Sequence, residues 1–200
     1  MDFNYTGLFI ATYIFLLTPG VGVAMLLSRS LTSGFWISMF MGMGMILGDL
    51  TYATFVLTAL SSVSHIIEPY LWYVRMFGVV YLMYIGIRQF FKKAMEIEQV
   101  KSKSSYAKEF TLGYIISVTN PKVVAFYIGF LPLFLPVNKL DFNNIIIALF
   151  VSFLASFLGL LTILWVALKL KTLLIKDDTA IIVNRILGGL IILLSIMLII

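Results

Sequence analysis

The sequence predicts an all-α integral membrane protein of six transmembrane helices, built as two inverted three-helix repeats with helices 1 and 4 broken near mid-membrane. Three observations carry that prediction. Of the 200 residues 62% are hydrophobic and 12% charged, with a mean hydropathy of +1.07, too apolar for a water-soluble domain to hide in one small core. The apolar residues gather into six continuous runs, each long enough to cross about 30 Å of hydrocarbon at about 1.5 Å per residue, whereas a β-barrel would alternate in short segments. A proline beside a polar residue interrupts the first and the fourth run.

The first run, Gly7 to Leu27, contains TPGVG. Asp2 is the charge that precedes Arg29, so the basic leader of a cleaved signal is missing and the run is read as a retained helix. The second, Phe35 to Leu60, carries Asp49 with apolar sequence on both sides. The third, Leu71 to Phe91, has Arg75 and Arg88 toward its ends, where long basic side chains snorkel to the interface. The fourth, Phe110 to Leu135, contains Asn120-Pro121-Lys122. The fifth and sixth, Ile145 to Leu168 and Ile181 to Ile200, are apolar with Arg185 near one end. Small residues four apart, such as Gly44 and Gly48 or Gly113 and Ser117, predict close helix contacts. Trp36, Trp72, Tyr73 and Trp165 fall near run ends as interfacial aromatics do.

Residues 1–91 form the first predicted repeat, 92–109 a basic linker and 110–200 the second repeat. Three loops share Arg29, then Arg88, Lys92, Lys93, Lys101, Lys103 and Lys108, then Lys169, Lys171 and Lys176; the loops on the other side offer Lys139. The positive-inside rule therefore puts the basic loops in the cytoplasm and both termini outside. The net charge of +5 is an orientation signal with some attraction to lipid headgroups, and does not point to nucleic acid. Three helices per half require the second half to enter from the opposite side, so a repeat would be inverted.

The lack of cysteine excludes thiol chemistry, and a single histidine, His65 in the loop SSVSHIIEP, argues against a histidine-rich metal pathway. No cofactor is expected. No motif joins a nucleophile to a base, which argues against an enzyme.

The breaks read as helix restarts. Thr and Asn are good N-caps, and proline is tolerated at the first helical position. Two restarting N-termini at depth, over Thr18, Pro19, Gly20 and Gly22 and over Asn120, Pro121 and Lys122, carry unpaired N–H groups that favour an anion such as a carboxylate. Bare backbone at that depth must face protein or a watery cavity. Asp49 is an ionisable residue where charge costs several kcal/mol unless paired or hydrated; it would hold an ammonium group, carry a coupling proton, or both. Lys122 would face a substrate carboxylate. The structural alternative is an Asp49–Lys122 salt bridge tying helices 2 and 4 together.

The stretches TPGVGVAMLLSRSLTSGF, GMGMILGD, FGVVYLMYIGIR and NPKVVAFYIGFLPLF together resemble the lysine-exporter (LysE/RhtB) family of prokaryotic amino-acid exporters, over most of the first 135 residues. That family usually has TPGP in its first helix, Gly-Asp in its second, and Asn-Pro-Lys followed by Phe-Leu-Pro-Gln in its fourth. Here Val21 replaces the second proline and Leu133 the glutamine. The resemblance implies proton-coupled efflux of amino acids or close analogues across the plasma membrane, and it allows a homodimer. Thr18, Pro19, Gly20, Gly22, Asn120, Pro121 and Lys122 would bind the substrate, with Asp49 binding substrate and proton. Rival readings are a metal-cation exporter, which would want more ligands than Asp49 supplies, and a non-transporting membrane scaffold.

Overall fold

The computed structural model describes residues 3–18, 20–62, 70–91, 105–136 and 139–169, and in the last run 181–182, 185–186, 188–189, 191–193 and 196. The helices are α1 (Tyr5–Leu17), α2 (Val21–Ser33), α3 (Phe35–Ser62), α4 (Leu71–Phe90), α5 (Tyr106–Val118), α6 (Pro121–Phe134) and α7 (Phe142–Lys169). The described residues of the last run are helical too. His65, Pro19 and residues 92–104 of the linker lie outside the described residues.

Helices α3 and α7, 28 residues each, are long and apolar enough to cross a membrane unbroken. The pairs α1–α2 and α5–α6 meet the same test jointly, bent by 62° and 58° at their breaks. The described residues thus hold two spans by length and composition, or four if each bent pair counts as one. The third run forms α4, whose apolar stretch Val79–Phe90 is shorter than a span.

Local chemistry sets the helix ends. Asn4 opens α1 by accepting the Gly7 N–H at 2.8 Å, and its own N–H donates to Phe134 O at 2.8 Å, fastening the start of α1 to the end of α6. Ser105 opens α5 by accepting the Lys108 N–H. That cap starts α5 inside the stretch whose charges read as linker, and it buries Glu109.

Close packing of small residues organises the bundle. The most extensive helix contacts are α3 with α5 and α1 with α7. A Cβ on Gly44 would collide with the Phe110 carbonyl, and one on Gly113 with the Met41 carbonyl. Backbone cannot yield there, so glycine is what lets α3 and α5 approach. Two apolar clusters form the core: one joins α1 and α6 through Leu8, Phe15, Phe126 and Leu131, the other joins α2, α3 and α7 through Leu26, Met41, Ile46 and Leu164. Both helix breaks lie where one cluster gives way to the other.

Candidate functional site

Thr18 leaves the helix with φ −67° and ψ 120°, the extended geometry that a following proline imposes on its predecessor. Its hydroxyl donates backward to Ile14 O at 2.8 Å. Thr18 therefore closes α1 and does not cap α2, contrary to the reading of Thr-Pro as polar cap then proline. Gly20 takes the N-cap position of α2, and no side chain caps that helix.

The second break is built differently. Asn120, again before proline, has φ −83° and ψ 111°, and its Oδ1 accepts the Lys122 N–H at 3.0 Å. Pro121 begins α6 directly, as the polar-cap-then-proline pattern predicts.

The carbonyl ends facing these restarts are served from the opposite half of the chain. Lys122 Nζ donates to Thr18 O at 2.9 Å and Phe15 O at 3.3 Å, and lies 4.5 Å from the Phe15 ring centre. Tyr52 Oη donates to Val118 O at 2.6 Å, in the last turn of α5. Orphan carbonyls at a helix end need such donors when water is scarce.

Asp49 is buried on α3 and accepts a hydrogen bond from Ser117 Oγ at 2.5 Å. Gly48 makes this contact fit: a Cβ there would lie 2.7 Å from Ser117 Oγ and 3.1 Å from Tyr114 O. Ser117 O in turn accepts the Asn120 N–H at 3.0 Å, so Asp49 connects to the second break through one residue. The expected alternative, a direct Asp49–Lys122 ion pair, is not formed: the lysine reaches the α1 carbonyls and the acid reaches Ser117.

A cavity of about 510 Å³ opens between the two breaks. Gly20 and Val21 line it from the first restart, Asn120, Pro121 and Lys122 from the second, and Tyr81, Tyr84, Arg88 and Gln89 from α4. Asp49 and Gly22 are off its wall. Asp49 is buried against Ser117, and Gly22 is buried against the Met45 methyl. The structure thus brings Gly20, Asn120, Pro121 and Lys122 to one cavity, keeps Thr18 and Asp49 off its wall, and does not describe Pro19. Of the two departures from the family pattern, Val21 is on the wall and exposed, while Leu133 is buried in the core.

Several residues here escape a sequence reading. Arg88 reads as a snorkelling end residue, yet it lies on the cavity wall. Tyr52 gives no signal except its position one turn after Asp49. Arg29 reads as the first loop's topology anchor, but it is buried in α2 and pairs with Glu109 at 2.8 Å, with side chains 4% and 0% exposed. The polar run SRSLTS hides this pair, because α2 continues to Ser33.

An uncharacterized membrane protein of Synechocystis sp. is 27% identical over 152 residues, covering 76% of this chain and 74% of its own. A Bacillus subtilis protein, YcgF, whose name carries a proposed amino acid efflux role, is 29% identical over 107 residues, 52% of this chain and 50% of its own. A second Bacillus subtilis membrane protein, the uncharacterized YrhP, is 30% identical over 102 residues, 46% of each chain. The match thus spans about half the length of the two Bacillus relatives. No solved structure matches. The model of the LysE type translocators matches residues 13–200, and with its paired helix breaks and multi-pass apolar helices the chain belongs to that family of membrane transporters.

Proposed function

We propose that the protein is a secondary transporter that exports amino acids or close analogues across the plasma membrane of a prokaryote, coupled to protons. The observation that carries this reading is the cavity of about 510 Å³ bounded by both helix restarts. The resemblance in Asn-Pro-Lys and Thr-Pro-Gly and the efflux role in one relative's name support the substrate class. The substrate carboxylate sits in the cavity against the restart at Gly20 and against Asn120, Pro121 and Lys122, where partial positive charge gathers, while Thr18, Pro19 and Gly22 shape the first break.

Alternating access comes from one three-helix half rocking against the other, with the basic loops cytoplasmic and both termini outside. Matching dimensions support paired inverted repeats: α1, α2 and α3 have 13, 13 and 28 residues, and α5, α6 and α7 have 13, 14 and 28. The strongest contacts also exchange partners as such a repeat requires, α3 with α5 and α7 with α1. Asp49 carries the proton. When Asp49 is protonated, the carboxylate that Ser117 binds becomes a weaker acceptor, and the change passes through the Ser117–Asn120 bond to the second break.

Cells expressing the protein and loaded with a panel of dipeptides test this reading, with release of free amino acids as the measurement. Release of at least one amino acid should be faster than in cells lacking the protein. Asp49→Asn should abolish that release while the protein stays in the membrane. A flat panel would refute export of amino acids, and unimpaired release by Asp49→Asn would remove Asp49 from the coupling.

A further inference from the structure

Building on the amino-acid reading above, we propose that the cavity takes amino acids with uncharged side chains and rejects lysine and arginine, with Arg88 receiving the substrate carboxylate. The charge on the wall is the ground for this. Arg88 of α4 and Lys122 of α6 both line the cavity, and among the described residues no carboxylate lines it. Asp49, a buried acid of α3, is not on this wall and accepts its hydrogen bond from the Ser117 hydroxyl. Among the described residues a cationic side chain entering here meets two positive charges and no counter-charge on the wall, and juxtaposed like charges are unfavourable.

The two cations are not equivalent. Lys122 Nζ already donates to two α1 carbonyls, at 2.9 and 3.3 Å. Arg88 is exposed to the cavity, and among the described residues no acid lies within ion-pairing distance of it. Its planar guanidinium matches a carboxylate with two parallel N–H donors, a geometry that an ammonium cannot copy. Val21, Ile85 and the uncharged Tyr81, Tyr84 and Gln89 also line the wall, a mixed surface that suits an uncharged side chain. Arg88 is thus a specificity-determining residue set on the helix that neither break belongs to.

The test uses the full-length protein in proteoliposomes loaded with radiolabelled leucine, with release measured against unlabelled competitors outside. Leucine should compete at least about tenfold better than lysine, and tenfold better than leucine amide, which lacks the carboxylate. Arg88→Gln should raise the half-saturating leucine concentration about tenfold with little change in maximal rate, and Arg88→Lys should recover part of the loss. Arg88→Glu should admit lysine. Equal competition by lysine, or an unchanged half-saturation in Arg88→Gln, would overturn this assignment and leave amino-acid export standing. Absence of exchange for leucine, lysine and every other amino acid tried would instead overturn the reading on which it rests.

Discussion

At the first break α2 begins on Gly20, which has no side chain to offer its leading amides; at the second, α6 begins on Pro121 with Asn120 folded onto the Lys122 N–H. The carbonyl sides differ as well. The end of α1 is held by a charged donor, Lys122, and the end of α5 by a neutral one, Tyr52. Two interruptions that look alike in sequence therefore have different chemistry. The second is satisfied by its own cap and sends a lysine across to the first. The first restart opens on the cavity at Gly20 and Val21 with no side-chain cap, and in the proposed reading its amides serve the ligand.

The largest expected effect tests whether the two broken helices move as a unit at their far ends. Arg29 in α2 and Glu109 in α5 join the segment after the first break to the segment before the second. Replacing one partner leaves the other buried without its counter-charge, a loss of about 3–5 kcal/mol. Glu109→Gln should therefore unfold at markedly lower temperature in detergent, whereas the double change to Arg29→Met and Glu109→Met should regain most of the stability. A double variant as unstable as the single one would mean that packing, and not the ion pair, makes this join.

Next in size is the contrast between the two carbonyl donors. Lys122→Met removes charged hydrogen bonds from the end of α1, worth about 1.5–3 kcal/mol, and Tyr52→Phe removes a neutral one worth about 1 kcal/mol. Thermal unfolding should rank them in that order. Export should fall far more in Lys122→Met, because that side chain also lines the cavity. Equal losses of export would make the two breaks functionally alike.

What the sequence made legible was whatever is chemically loud. Prolines at 19 and 121 interrupt apolar runs, Asp49 is a charge in oil, and glycines four apart announce close helices. Each of these features was readable because it violates the local pattern. The partners were not readable. Whether Asp49 meets Lys122 or Ser117 depends on how α3 is rotated against α5, and that rotation follows from Gly44, Gly48 and Gly113 seating on facing backbone and on Ser117. Arg29 and Glu109 each look ordinary at the edge of a polar stretch, and their burial appears only when helix ends extend past the last apolar residue. Arg88 reaches the cavity because α4 packs on α6, a tertiary fact with no local mark.

The smallest predicted effect on stability is the most direct test of the asymmetry between the breaks. Gly20 has φ −151°, an extended conformation open to any residue, and a Cβ there would meet Lys122 Cδ at 3.7 Å, an ordinary contact. Asn can therefore take this position and fold over the amides of α2 as Asn120 does over those of α6. Asn and Gly differ as N-caps by only a few tenths of a kcal/mol, so Gly20→Asn should melt at nearly the native temperature or slightly above it. Its side-chain oxygen would nevertheless occupy the donors that a carboxylate needs, and the half-saturating substrate concentration should rise several-fold. If substrate affinity is untouched in a protein whose stability has risen, the α2 amides are not where the anion binds, and the contribution of the first break is confined to its carbonyl side, where Lys122 already sits.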